Sequence, residues 1–275
     1  MLAGELLDMT EAEILFADFL NCSRLSLYLN RDLPLDKYQA KFLSSVLERR
    51  ISGEPLQYIL KRIEFMGLEF VLTKDVLIPR PETEILVENA VRCLSVAATS
   101  HRALRILDIG TGSGCIAVSL AKLLSDPVID AIDISGPALI VARKNAGLNK
   151  VSINFMQSDL FNHQDLETGG YDLIISNPPY IPTGEIRKLQ PEIRFEPFIA
   201  LDGGSDGLDF YRRIIKESPR YLREGGLLIM EMGLNQIYAL KNIIEKSSTF
   251  GIVEITKDYN NIDRVIVLER HKENG

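Results

Sequence analysis

The feature that most restricts the fold is the run Asp108-Ile109-Gly110-Thr111-Gly112-Ser113-Gly114, set between an apolar stretch and a helical one. Arg105–Ile109 reads as a buried strand and Cys115–Leu124 as a helix, so the glycines mark a tight strand-to-helix turn. Glycine lets the backbone turn sharply there and approach a ligand with no Cβ in the way. Downstream the pattern alternates. Strands are expected at Val128–Ile132, Ile153–Gln157, Leu173–Ser176 and Leu227–Met230, with two late ones at Ile252–Thr256 and Arg264–Leu268. Helices are expected at Gly136–Leu148, Asp209–Tyr221 and Asn235–Lys246. Such alternation predicts an α/β domain with a parallel, doubly wound sheet.

Upstream the chain reads differently. Thr10 with Glu13 is a capping-box signature, and Leu15, Phe16, Phe19 and Leu20 follow it on one helical face. Asp36–Ile51 repeats the pattern with Tyr38, Phe42, Val46 and Leu47, and Gly53 and Pro55 stop it. Leu25, Leu27 and Leu29 alternate, but their helical neighbours favour a helix. Ile63 and Phe65, then Gly67, then Leu68, Phe70 and Leu72 predict a β-hairpin, read as a hinge between domains. Pro81 opens a further helix with a buried stripe of Ile85, Leu86, Ala90, Cys93 and Leu94.

Charge narrows the partners. The 275 residues carry 31 Lys and Arg against 38 Asp and Glu, a net charge of −7. That balance argues against sequence-blind nucleic-acid binding, which needs a basic face. The helical segment 1–54 is itself acidic. Cys22, Cys93 and Cys115 form no CxxC pair and no zinc pattern with His101, His163 and His271. The chain therefore reads as reduced, cytosolic and free of metal. Met1 to Asp8 carries acids and no base, unlike a signal peptide, and no apolar run approaches a membrane span.

Acids at successive strand ends point to a ligand. Asp133 ends the second strand, where a carboxylate can accept both ribose hydroxyls of an adenosine-bearing cofactor. A helix N-cap is the plain alternative for it. Ser158-Asp159-Leu160 ends the third strand, where an acid and an apolar side chain can meet the amino group and face of adenine. The glycine spacing is G-x-G-x-G rather than the dinucleotide G-x-G-x-x-G, which favours S-adenosylmethionine over NAD.

Asn177-Pro178-Pro179-Tyr180 follows the fourth strand, at the sheet edge where open α/β domains bind ligands. The two prolines fix φ and carry no N–H, so the local carbonyls stay free and stiffly aimed. The Asn177 oxygen and the Pro178 carbonyl can both accept from one planar NH₂ group, and Tyr180 can pack on its flat face. A nitrogen conjugated to a carbonyl or ring has a delocalised lone pair. Holding both its hydrogens orients that lone pair toward a methyl donor.

These motifs together resemble the HemK/PrmC family, the methyltransferases of release-factor glutamine. The resemblance spans nearly the whole chain. It rests on Glu54-Pro55-Leu56-Gln57-Tyr58-Ile59, on Val76-Leu77-Ile78-Pro79-Arg80-Pro81-Glu82-Thr83-Glu84, on the glycine loop and on Asn177-Pro178-Pro179-Tyr180-Ile181-Pro182. Glu196-Pro197, the run Ala200 to Leu208, Gly225-Gly226, Glu231-Met232-Gly233 and Asp263-Arg264-Val265 complete it. The resemblance implies a Rossmann-like seven-stranded S-adenosylmethionine-dependent domain, joined by a β-hairpin to a small helical N-terminal domain. The corresponding limits are 1–58 for a helical substrate-docking domain, 59–78 for the hairpin linker and 79–275 for the methyltransferase domain.

It further implies methylation of the glutamine side-chain amide in the Gly-Gly-Gln motif of peptide chain release factors. By motif, Gly110, Thr111, Gly112, Ser113 and Gly114 would cradle the methionine part of the cofactor and Asp133 the ribose, with Asp108 in the same cofactor-binding set. Asp159 and Leu160 would line the adenine pocket, where some relatives carry Trp in place of Leu160. Asn177, Pro178, Pro179 and Tyr180 would hold the substrate, with Asn177 also near the cofactor and Arg80 and Glu82 closing over the site.

Asn-Pro-Pro-Tyr is shared with adenine N6-methyltransferases, which makes nucleic acid the alternative substrate. The acidic helical module, and the lack of chain for another recognition region, favour protein. A silent cofactor-binding protein is a third reading, opposed by the intact Asn-Pro-Pro-Tyr motif.

Overall fold

The computed structural model describes residues 9–30, 32, 34–97 and 102–272. Met1–Asp8 and His101, both used in reading the sequence, lie outside the described residues. The first helices are α1 (Glu11–Phe19), α2 (Arg24–Leu29), α3 (Lys37–Ile51) and α4 (Leu56–Leu60). Thr10 caps α1 with a full capping box: the Glu13 N–H donates to Thr10 at 3.2 Å and the Thr10 N–H to Glu13 at 2.6 Å. Asp36 and Gln39 form the same box at α3.

The inner face of α3 differs from expectation. Leu43 and Val46 are buried, whereas Tyr38 is 88% exposed and Phe42 and Leu47 are also exposed. The reason is the size of the core there. Leu15, Val46 and Ile59, with Leu56 and Leu60 against them, cover a narrow strip of α3. Phe42 stacks instead on Phe19 of α1, with centroids 4.5 Å apart.

The hairpin β1 (Arg62–Phe65) and β2 (Leu68–Val71) leads to α5 (Pro81–Ala97). It packs against α5 and the glycine loop. Phe65 and Phe70 are buried in one cluster with Ile85, Leu86 and Leu94 of α5. Burying each ring contributes roughly 2–3 kcal/mol. Asn145, fully buried, accepts from the Val71 N–H at 2.7 Å and donates to the Val71 and Ser113 carbonyls at 3.0 and 2.9 Å. One side chain thus fastens hairpin to glycine loop.

The remaining elements are β3 (Arg105–Ile109), α6 (Cys115–Leu123), β4 (Val128–Asp133), α7 (Gly136–Leu148), β5 (Asn154–Gln157), β6 (Tyr171–Ser176), α8 (Asp209–Glu217), β7 (Leu222–Glu231), α9 (Ile237–Ser247), β8 (Phe250–Lys257) and β9 (Asp263–Arg270). They build one seven-stranded sheet of order β5-β4-β3-β6-β7-β9-β8. The strands from β3 to β7 run parallel as expected, but β9 is antiparallel to both β7 and β8. The parallel expectation fails there because a parallel crossover needs a dozen or more residues. The short turn after Lys257 allows only a hairpin, closed by Asp258 accepting from the Asn260 and Ile262 N–H groups. Apolar clusters cover both faces, one centred on Leu107, Ile174 and Tyr211, the other on Ile106, Val118 and Ile229.

Candidate active site

The parallel strands present their C-terminal ends along one edge, and the expected site residues gather there. The glycine loop leaves β3 and is held to β4: the Gly110 and Thr111 N–H groups both donate to the Ile132 carbonyl at 2.9 Å. The Gly112 and Ser135 N–H groups each donate to Asp133 at 2.8 Å. A carboxylate offers about four lone-pair positions, so Asp133 keeps acceptor capacity toward a ligand. Burial pushes its carboxyl up, against the pull of those N–H donors.

Asp108 lies beneath the loop, wholly buried. Thr111 Oγ1 donates to its Oδ2 at 2.6 Å, while its Oδ1 has no hydrogen bond of normal geometry among the described residues. Burial pushes this carboxyl up to about 7; the Asp133 charge adds to the rise, and donors from Thr111 and Ala117 oppose it.

Two cavities meet at this edge. One, of about 220 Å³, is lined by Gly110, Gly112, Asp133, Asp159, Leu160 and Asn177, together with Phe210. The other, of about 390 Å³, runs from Tyr180 toward the helical module and reaches Glu11, Arg50, Arg80, Glu192 and Glu196. Leu77, Asn177, Pro178 and Ala200 line both. The Asn-Pro segment is therefore the wall between them.

That wall is held from several sides. Ser176 Oγ donates to the Ile109 carbonyl at 2.8 Å, tying the end of β6 to β3. Asn177 Nδ2 donates to Thr83 Oγ1 at 3.1 Å, and Thr83 donates to Glu231 Oε2 at 2.7 Å. Gln236 donates to the Tyr180 carbonyl at 2.9 Å. Ile181 forms a bridge with Asp202, which brings the run after Ala200 under Tyr180. Gly207 is needed there: a Cβ would stand 2.3 Å from the Tyr180 carbonyl oxygen. Burial and the neighbouring Glu231 keep the Tyr180 phenol neutral by pushing it up. Burial likewise pushes the Glu231 carboxyl up to about 7, opposed by Thr83 and Arg264.

Comparison with known proteins decides the family. Residues 83–190 match the model of the methyltransferase small domain and residues 3–60 that of the PrmC N-terminal domain. A release factor glutamine methyltransferase of Geobacter sulfurreducens is 43% identical over 257 residues, covering 93% of this chain and 87% of that protein. One of Thermodesulfovibrio yellowstonii is 40% identical, covering 96% and 94%. The chain belongs to the release factor glutamine methyltransferase family.

Solved structures agree on the fold. A methyltransferase of Pyrococcus furiosus superposes with a TM-score of 0.56 at 17% identity, over 83% of this chain and 100% of that one. The ribosomal protein L11 methylase of Lactobacillus delbrueckii gives 0.54 at 18%, over 77% and 99%. Family and fold use S-adenosylmethionine as methyl donor.

The residues expected from the family motifs divide by position. Gly110, Gly112, Asp133, Asp159, Leu160, Asn177, Pro178 and Pro179 line the smaller cavity, and Asn177, Pro178 and Tyr180 the larger. Thr111, Ser113 and Gly114 line neither, and hold the loop from within. Asp159 also pairs with Arg213 at 2.8 Å. Arg80 does border the larger cavity, paired with the buried Glu196 at 2.5 Å. Glu82 borders neither cavity. Phe210 was missed. It supplies beside Leu160 the aromatic side chain that Leu160 lacks, and it follows the Gly-Gly-x-Asp-Gly run that could have flagged it.

Proposed function

We propose that this chain transfers a methyl group to the side-chain amide nitrogen of glutamine in the Gly-Gly-Gln motif of peptide chain release factors. The observation that carries this reading is the shared wall: Asn177 and Pro178 face both cavities at once. A donor on one side and an acceptor nitrogen on the other then meet across two oriented hydrogen-bond acceptors.

The smaller cavity suits S-adenosylmethionine, which supplies a methyl group on a positively charged sulfur. Asp133 has lone-pair capacity left for ribose hydroxyls, while Asp108, which borders neither cavity, braces the glycine loop from beneath through Thr111. Leu160 and Phe210 offer apolar faces for the adenine. In the larger cavity Asn177 Oδ1 and the Pro178 carbonyl accept both hydrogens of a primary amide, and the Tyr180 ring covers its plane. The amide lone pair is thereby aimed at the donor side. Such positioning supplies up to roughly 7–11 kcal/mol of barrier lowering. The proton leaves after transfer, so no strong base is required.

Electrostatics support a protein substrate over nucleic acid. The cations of the larger cavity are already paired: Arg50 with Glu11 at 2.8 Å and Glu192 at 3.3 Å, Arg80 with Glu196. Among the described residues lining that cavity, no unpaired cation is left to face a phosphate backbone. Because Glu11 and Arg50 belong to the helical module, we read 1–58 as a docking domain beside the cavity mouth, 59–78 as the hairpin linker and 79–275 as the catalytic domain. No helix among the described residues is long and apolar enough to cross a membrane. Three unbridged cysteines support a cytoplasmic location.

Labelled S-adenosylmethionine offered with a release factor, its Gly-Gly-Gln→Gly-Gly-Ala variant and double-stranded DNA tests the reading. Label on the intact factor alone is expected, and Asn177→Ala should lower turnover by about 10²-fold. Label on DNA would replace the reading with adenine N6-methylation.

A further inference from the structure

The Asn177 carboxamide can face two ways, and only one serves the reaction. With Oδ1 toward the larger cavity it accepts from a substrate NH₂; turned over, it presents hydrogens to hydrogens. Which way it faces is decided behind it. Thr83, 2% exposed in the first turn of α5, stands between Asn177 Nδ2 at 3.1 Å and Glu231 Oε2 at 2.7 Å. Glu231, 1% exposed at the end of β7, is also approached by the Tyr180 hydroxyl at 3.5 Å. Arg264 and Glu82 act on it through their charges, and Tyr211 donates to its backbone carbonyl at 3.0 Å.

The order of donors follows from chemistry. An ionised carboxylate only accepts, so the single Thr83 hydroxyl hydrogen is committed to Glu231. Thr83 then has only lone pairs to offer Asn177, and it requires the NH₂ end. The opposite orientation would set the Asn177 carbonyl oxygen against an oxygen with no hydrogen to give, in a buried place where an unmade hydrogen bond is costly.

We propose that Thr83 and Glu231 are positioning residues that lock the Asn177 carboxamide with its NH₂ inward and its Oδ1 toward the substrate nitrogen. The inference rests on the methyl-transfer reading of the Asn-Pro-Pro-Tyr wall. It gives a task to two buried side chains, from the Pro-Arg-Pro-Glu-Thr-Glu and Glu-Met-Gly runs, that touch neither cavity.

The test compares wild type, Thr83→Val, Thr83→Ser, Asn177→Ala and Thr83→Val/Asn177→Ala at pH 8.5, where Glu231 is ionised. Valine keeps the shape and removes the hydroxyl; serine keeps the hydroxyl. Thr83→Val should lower kcat on the release factor by about tenfold or more while the Kd for S-adenosylmethionine stays within about twofold. Thr83→Ser should recover most of kcat, and Thr83→Val should add little to Asn177→Ala, since both remove one oriented acceptor. Near wild-type kcat in Thr83→Val, an equal loss in Thr83→Ser, or additive losses would overturn the proposal.

Should wild type label another substrate, the same variants are run on that substrate. Should it label none, the glutamine reading fails and the inference is read separately from hydrogen exchange of the Asn177 side-chain NH₂ by NMR. Protection in wild type and Thr83→Ser, with at least about tenfold faster exchange in Thr83→Val, supports the lock. Equal exchange in all three defeats it.

Discussion

Replacing Asp108 with Asn should change how stability depends on pH, and the direction follows from its burial. The carboxyl ordinarily titrates near 3.8 and is pushed up to about 7 in the folded chain. Between those values the folded state holds a proton that the unfolded state has released. Stability is therefore full below about pH 4 and is lost as pH rises toward 7, levelling off above it. Across pH 5 to 8 a full proton difference lasts for about two pH units, which amounts to up to about 3 kcal/mol. Acids drawn the other way do not intrude. Glu13 and Glu54, held down to about 2 by their hydrogen bonds, titrate alike in both chains and drop out of the difference.

Asn keeps an oxygen that can accept from Thr111 and replaces the other oxygen by an uncharged NH₂. It imitates the protonated acid. Wild type and Asp108→Asn should be nearly equal in urea unfolding at pH 5, and the variant should be the more stable by up to about 3 kcal/mol at pH 8. Glu231, also pushed up to about 7, contributes the same slope to both chains and drops out of the difference. Parallel pH profiles, or a wild type that gains stability between pH 5 and 8 relative to the variant, would refute the reasoning.

Two further outcomes follow from the loop. Asp133→Ala removes the acceptor of the Gly112 and Ser135 N–H groups and the lone pairs offered to a ribose, so the Kd for S-adenosylmethionine in calorimetry should rise by about tenfold or more. A turnover loss at unchanged Kd would contradict that assignment. Gly114→Ala forces an L-residue to φ +81° with its Cβ 3.2 Å from that of Ala142, which should cost about 2–4 kcal/mol in urea unfolding; a loss below about 1 kcal/mol would show that α7 gives way freely.

Much of this fold was legible because its signals are local. Capping at Thr10, the glycine turn and the strand-helix alternation each occupy fewer than about fifteen residues, the range over which periodicity speaks. The antiparallel edge is carried by the short gap between Lys257 and Asp263, too short for a parallel crossover. The exposed face of α3 was not legible, since amphipathic spacing cannot report how little is packed against it. Nor was the fixing of the hairpin, which depends on Asn145 meeting Val71 across 74 positions. At the site, the residues carrying acids or the Asn-Pro-Pro-Tyr run were visible from their place at strand ends. Phe210 lay in an expected helix just after the Gly-Gly-x-Asp-Gly run, but helical spacing did not show that it faces a cavity; Gln236 and the short 3-10 turns between Ile186 and Ala200 carry neither period nor conspicuous chemistry.

Placement also explains why runs scattered through the chain are specific together when each is weak alone. The Asn-Pro-Pro-Tyr loop has no regular structure of its own, and a loop of four residues does not hold an amide to a fraction of an ångström. Its rigidity comes from outside. Thr83 in the Pro-Arg-Pro-Glu-Thr-Glu run holds Asn177; Gly207 in the Gly-Gly-x-Asp-Gly run lets backbone press against the Tyr180 carbonyl; Glu231 in the Glu-Met-Gly run anchors Thr83. Gln236 ties the Tyr180 carbonyl to the start of α9. Each of these segments comes from a different part of the chain, yet all converge within a few residues of the wall between the two cavities. A methyl transfer that depends on orientation rather than on a base or metal requires such external support. On the methyl-transfer reading proposed above, the distant motifs act together in positioning, and a chain that kept Asn-Pro-Pro-Tyr while losing the others should align donor and acceptor poorly.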